Sequence, residues 1–407
     1  MKKNWIRFIG FIAVFILFFI WFNKAYSIEV PAWSDFYKLP RNSIDVIFIG
    51  NSHTNTAFQP QIVNDLLDIN TYLLGIPGEN IPITYFELRE LLKYQKPKMV
   101  VLESFPMNFT DLVIPPIIFY FTDSGFWDSN KLHVLAMNLN RNNLYTAFPV
   151  LHNSIDWNTP SKNYQKMISV FTTKTAPIDP ALGYVRIPII LTANEMNTAI
   201  RTTEADSKTS LDENLKYLNK FVNLCEKKNV QLLLTTVPPI KIFGDSFKYY
   251  VPFDAEKYAT ENQIEYLKFN VSDMNELHYS DPSHMNDFGS VNISIQAAQA
   301  ISKKMGIPIN QDKLSYYNTF LFSGYTLIQK GEQYTFNLIP KDVNAPLEYQ
   351  FVVKTNSDGQ VITSTDWQSS NQIQFLLPDS STYTLGIQVR NQQGDFKVSG
   401  DLQVTTN

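Results

Sequence analysis

A serine, a histidine and an aspartate, far apart in the chain, are the residues that could do covalent chemistry together. Ser52 stands in VIFIGNSHT, directly after the apolar run Val46–Ile49 and Gly50. A buried strand that ends on glycine can turn sharply and leave the next hydroxyl exposed at its tip. Serine alone is a weak nucleophile; it needs a histidine base within hydrogen-bond reach and a carboxylate that holds the imidazole in the right tautomer. His53, the immediate neighbour, is expected to point elsewhere, because adjacent residues at a strand end diverge. The better base lies in HYSDPSHMNDFG, where Asp281 and His284 are three residues apart ahead of a helical stretch. Asp281 can fold back onto one ring nitrogen of His284 and leave the other for Ser52. Taken alone, D-x-x-H reads as an aspartate helix cap beside a surface histidine; paired with GNSH, it reads as base and orienter. The chemistry would be acyl transfer: His284 takes the Ser52 proton, Ser52 attacks an ester carbonyl, and the acyl group passes to water or a sugar hydroxyl. It requires no metal and no cofactor. His133, His152 and His278 lack metal-ligand spacing with one another and read as structural.

The elements that must position these residues come in two styles. DVIFIG, PKMVVLES and VQLLLTTVPP are short apolar runs of the kind covered on both faces. ITYFELRELLKYQ precedes the second and LDENLKYLNKFVNLCEKKN the third, both with apolar residues at helical spacing. Strand, helix, strand predicts a doubly wound, flavodoxin-like parallel α/β sheet over about 40–310. A stretch from about 105 to 210, rich in proline and asparagine links, breaks that rhythm and is expected to be a cap or insertion. From about 313 to 407 the alternation changes to period two: Tyr349, Phe351, Val353, and then Tyr383, Leu385, Ile387, Val389. That pattern predicts a C-terminal immunoglobulin-like β-sandwich. Its Trp367 and tyrosines either form a sugar-stacking face or fill its core.

Composition narrows the function. The 407 residues are 44% hydrophobic with a formal net charge of -4, so a large core is available and the basic footprint of a nucleic-acid binder is missing. Cys225 is the single cysteine, which excludes internal disulfides, and its amphipathic surroundings predict a buried thiol. MKKNWIR followed by the uncharged run Phe8–Phe22 orients the start of the chain with its positive end in the cytoplasm and everything after residue 23 outside. Residues 1–27 read either as a retained single-span anchor or as a signal peptide cleaved near Ala25-Tyr26-Ser27. The bulky Trp21–Phe22 end favours the anchor. The expected location is the cell membrane, with the bulk of the chain on a bacterial surface.

GNSHT followed far downstream by DPSHMNDFG resembles the first and last conserved blocks of the SGNH (GDSL-type) hydrolase superfamily, over about residues 40–307. The resemblance implies that Ser52 is the nucleophile and that Asp281 and His284 complete the triad. It also implies an oxyanion hole built from the backbone amide of Ser52 and a second-block glycine. In YLLGIPGEN, Gly78 matches that glycine best, with Gly75 as the fallback. The third block, normally Gly-x-Asn-Asp, is missing: VVLESFPMNF offers only Asn108 as an amide donor. Such degenerate third blocks resemble the membrane-anchored branch that includes polysaccharide O-acetylation and teichoic-acid D-alanylation proteins. That branch implies an O-acyltransferase acting on a cell-surface polysaccharide, with a multispan membrane acyltransferase as partner. A deacylating esterase and a non-catalytic glycan- or protein-binding surface protein are the competing expectations.

Overall fold

The structure is a computed structural model that describes residues 2–27, 30–108, 115–124, 128–138, 177–192, 208–240, 253–377 and 381–405, with a few isolated positions between 148 and 168. The chain opens with helix α1 (Lys2–Tyr26). Its segment Trp5–Tyr26 is 22 residues long and contains an 18-residue window of mean hydropathy 2.4 with none of that window buried; only at its end are Asn23 and Tyr26 buried. At 1.5 Å per residue this spans about 33 Å, enough for a hydrocarbon layer of about 30 Å. Length and composition fit a membrane span and a signal sequence alike. The next helix, α2 (Pro31–Phe36), buries Trp33 and Phe36 against the body, so the core begins before the expected start near residue 40.

Five parallel strands form the α/β sheet: β1 (Val46–Gly50), β2 (Thr71–Gly75), β3 (Met99–Glu103), β5 (Gln231–Thr235) and β6 (Glu265–Leu267). Their spatial order is β2-β1-β3-β5-β6, the doubly wound, flavodoxin-like order. β1, β2 and β3 are buried at every residue, as strands covered on both faces must be. Between β1 and β2 run α3 (Ser52–Ala57) and α4 (Pro60–Leu67). Between β2 and β3 lies α5 (Ile81–Leu91), which carries ITYFELREL. After β3 come α6 (Pro115–Thr122) and α7 (Ser129–Asn138), then the two-residue strand β4 (Ile189–Ile190). The crossover α8 (Lys208–Lys227) leads into β5 and buries Cys225, whose thiol burial pushes up to about 12. The short α9 (Ala255–Glu261) precedes β6. The α/β part closes with α10 (Asp287–Met305), stopped by Gly306 in the left-handed region at φ 66. Two cores result, one on each sheet face: α5, α8 and α2 cover one, α4 and α10 the other.

Helix α11 (Gln311–Asn318) occupies the start of the region expected to be sandwich; the first sandwich strand begins at Phe322. Strands β7 (Phe322–Lys330), β8 (Gln333–Pro340), β9 (Leu347–Thr355), β10 (Val361–Ser364), β11 (Gln372–Leu376), β12 (Thr382–Asn391) and β13 (Lys397–Thr405) form two sheets. Their orders are β10-β9-β12-β13-β4 and β11-β8-β7. The sandwich pairings are antiparallel except at β4, which adds a parallel edge to β13. Tyr334, Tyr349 and Tyr383 fill the core. Trp367 does not: Arg390 lies 4.0 Å over its ring. Only parts of the stretch expected as an insertion fall within the described residues; PPIIFYF forms α6, and Ile189–Ile190 joins the sandwich instead of capping the sheet.

Candidate active site

Ser52 follows the carboxyl end of β1, at the point where the strand order reverses between β2 and β3, which is where open α/β sheets hold ligands. Gly50 is required there. At φ 154, a Cβ would run into Thr54 Oγ1 and lie 3.1 Å from Glu103 Cβ. Asn51 caps α3, its Oδ1 accepting the His53 N–H at 3.1 Å. Ser52 is therefore the first residue of a helix, and its own N–H has no intrahelical acceptor.

The last-block residues are held by a tight turn. Tyr279 and Met285 form an antiparallel bridge, and Ser280 N–H donates to the His284 carbonyl at 2.9 Å. Asp281 does not cap the helix; Asn286 does, its Oδ1 accepting from Phe288 and Gly289 N–H. The Asn286 amide also donates to the carbonyls of Leu277, Tyr279 and Ile189. Asp281 is thereby free to turn inward. Its Oδ1 accepts from the Ser283 and His284 N–H groups at 2.8 and 2.9 Å, and its Oδ2 lies 2.6 Å from His284 Nδ1. Partial burial alone would raise the carboxyl pKa, but the His284 bond and these amides outweigh it and hold it at about 2. On the other side of the ring, His284 Nε2 lies 2.7 Å from Ser52 Oγ. Residues 232 positions apart thus form one continuous chain from carboxylate to imidazole to hydroxyl.

Two contacts bring the halves of this chain together. Gln59, between α3 and α4, bonds Ser294 and Ser290 of α10. Residues 182–191 form a strap: Leu182 accepts from Leu73 of β2, Val185 donates to Asn55 of α3, and Leu191 donates to Tyr279.

The surrounding residues differ in how they are placed. A Cβ on Gly75 would sit 2.7 Å from the Asn51 carbonyl, so this glycine abuts the Ser52 segment. Gly78 lies three residues further, at φ 75 in a turn closed by Glu79 N–H to the Ile76 carbonyl. Asn108 ends the single turn Phe105–Asn108 after β3; both polar atoms of its amide are buried and bond nothing among the described residues. Glu103, at the end of β3, accepts from Phe105 and Val237 N–H, yet complete burial pushes its pKa to about 8. The place of His53 is one that sequence reasoning missed: its Nδ1 lies 3.2 Å from Asn51 Oδ1, and its buried ring stacks on His284 at 4.5 Å between centroids. Of the other histidines, His278 is buried and tied to Asn275 and Phe322, and His133 bonds the Ser129 carbonyl within its own helix. His152 lies outside the described residues. Among the described residues, no group of three or more His, Cys, Asp or Glu is placed to hold a metal ion.

No protein-family model matches the chain, and no curated protein matches it. Among solved structures, it is similar to a proposed acylhydrolase from Bacteroides fragilis, at 15% identity, 66% of this chain, 93% of that one and a TM-score of 0.34. A GDSL-like lipase from Bacteroides thetaiotaomicron gives 14%, 66%, 94% and 0.33. The C-terminal part is similar to a protein of immunoglobulin-like β-sandwich fold from Bacteroides vulgatus, at 14% identity over 20% of this chain and 83% of that one, with a TM-score of 0.16. At such identities and scores the site has to be argued from its own geometry.

Proposed function

We propose that this chain carries out serine-dependent acyl transfer, with Ser52 as nucleophile, His284 as general base and Asp281 as its orienter. The observation that carries this reading is the continuous pair of bonds, 2.6 Å from Asp281 to His284 and 2.7 Å from His284 to Ser52. In it, His284 Nε2 takes the hydroxyl proton as Ser52 Oγ bonds to the ester carbonyl carbon. The tetrahedral intermediate collapses by breaking the bond to the leaving oxygen, which receives that proton from His284. The acceptor then repeats the sequence in reverse and leaves with the acyl group. For the oxyanion we assign the Ser52 amide, the Gly78 amide and the Asn108 side chain. The amide of Asn108, buried with no partner among the described residues, supports its share of that role.

The finer reading is O-acyl transfer to a cell-surface polysaccharide outside the membrane, with α1 as the anchor. A single span cannot carry an activated acyl donor across, so this reading calls for a multispan membrane acyltransferase that delivers the group. Hydrolysis is the second reading, favoured by the 47% exposure of the Asp281 side chain, which leaves the triad within reach of water. The full chain, given an activated acetyl ester and a glycan acceptor, should form acetylated glycan faster than free acetate. Mass spectrometry of the glycan beside an acetate assay decides it. Acetate released at one rate with and without acceptor, and no acetylated sugar, would leave the esterase.

A further inference from the structure

His53 has no task in the acyl-transfer scheme, yet its surroundings are built with care. The ring is 2% exposed and lies between two others, 3.6 Å from Phe105 at 31° and 4.5 Å from His284 at 23°. Its Nδ1 lies 3.2 Å from Asn51 Oδ1, the oxygen that also takes its backbone N–H. A carbonyl oxygen only accepts, so the ring proton is on Nδ1 and Nε2 is bare. Nε2 is buried and bonds nothing among the described residues. Burial, and then the charge of His284, hold the imidazole well below the usual histidine range, so it stays neutral. What faces His284 is therefore an uncharged aromatic ring.

The bonds to Asp281 and Ser52 hold the His284 ring by its two nitrogens, and small rotations of its plane about the Cβ–Cγ bond remain. A stacked ring removes that freedom. It also presents π density to the positive charge that His284 acquires as it takes the Ser52 proton. We propose that His53 is a positioning residue, a neutral aromatic platform that fixes the plane of His284 and favours its imidazolium form during acylation. The proposal rests on the assignment of Ser52 and His284 as nucleophile and base.

The test compares His53→Phe, His53→Leu and His53→Ala in the detergent-solubilised full chain. One readout is turnover of an activated acetyl ester. The other is the downfield proton signal of the His284–Asp281 bond, assigned by its loss in Asp281→Asn. His53→Ala should lower kcat by about 10- to 30-fold, the upper part of what a desolvated cation–π contact is worth, with KM little changed. His53→Phe should restore kcat to within about 3-fold of the parent, since it keeps the ring face. His53→Leu fills the space without a π face and should stay near the alanine value. The downfield signal should persist in the phenylalanine variant and broaden in the other two. Leucine matching phenylalanine in both readouts, or alanine keeping both, would overturn the proposal. If the parent shows its downfield signal but no turnover, the acyl-transfer reading fails, and the signal's response to the three variants alone decides the role of His53.

Discussion

Ser52 is reactive on this account because of two atoms contributed by a segment 232 residues away. Removing its hydroxyl should abolish turnover while leaving the fold intact, a loss on the order of 10⁴ to 10⁶. His284→Ala should be comparably severe. Asp281→Asn should cost about 10⁴: the new NH₂ would face His284 Nδ1 and push the ring proton onto Nε2, the atom that must accept from Ser52. Steady-state turnover of an activated ester by the three purified variants, each checked by thermal melting, measures all of this. The glycines need different handling. Gly75→Ala drives a methyl into the Asn51 carbonyl and should displace Ser52 whichever amide serves the oxyanion. Gly78 has positive φ, so alanine there adds strain of roughly 1–2 kcal/mol. Gly78→Asn, which tolerates that backbone, is the cleaner probe.

At the scale of elements, the loop Tyr279–Asn286 and the turn at Gly78 depend on buried polar groups. Asn286 caps α10 and its side-chain amide lies against the carbonyls of Tyr279, of Leu277 before the loop and of Ile189 in β4. Its alanine variant should lose about 2–3 kcal/mol in denaturant unfolding, the sum of a lost cap and unmet carbonyls. Next to Gly78, the carboxyls of Glu79 and Glu87 are buried together. Burial pushes both pKa values up, Glu79 further because it also faces Glu87 and, protonated, donates a hydrogen bond to it. Glu87 accepts from Trp33 as well, and Glu79 from Thr84. Because these folded pKa values lie above the unfolded ones, the stability they contribute is present at low pH and is lost as pH rises through the raised values. Glu103 acts in the same direction. Melting temperature should therefore fall from pH 5 to pH 9, and less steeply in Glu79→Gln; parallel curves would show that the pair does not titrate in that range. The sequence made β1, β3, β5, α5 and α8 legible through runs that follow one period, and both end motifs through residue type. It hid what depends on tertiary contact: the cap function of Asn286 rather than Asp281, the stack of His53 on His284, and β4, whose two residues are a strand only because β13 lies beside them.

Across the whole molecule, the sandwich is not a detachable appendage. One apolar core runs from β1 through α10 into β7–β13, with Phe288 packed edge-on against Phe322. Strand β13 approaches α10 so closely that a Cβ on Gly400 would lie 2.6 Å from Ile190 and 2.7 Å from Phe288. Asp287, next to the cap of α10, bonds Tyr184 of the strap and Ser399 of β13. Gly400→Val should therefore destabilise the chain by about 1–3 kcal/mol through overpacking, and lower turnover by shifting α10 and, with it, His284. Full activity with an unchanged melting temperature would show that the sandwich and the site are mechanically independent.

The most direct test of the account is a covalent one. The full chain should be treated with a fluorophosphonate that traps serine nucleophiles, digested and mapped by mass spectrometry. The account predicts one adduct, on Ser52, formed readily by the parent protein and lost in His284→Ala. An adduct on any other serine, or undiminished labelling of Ser52 without His284, would contradict it.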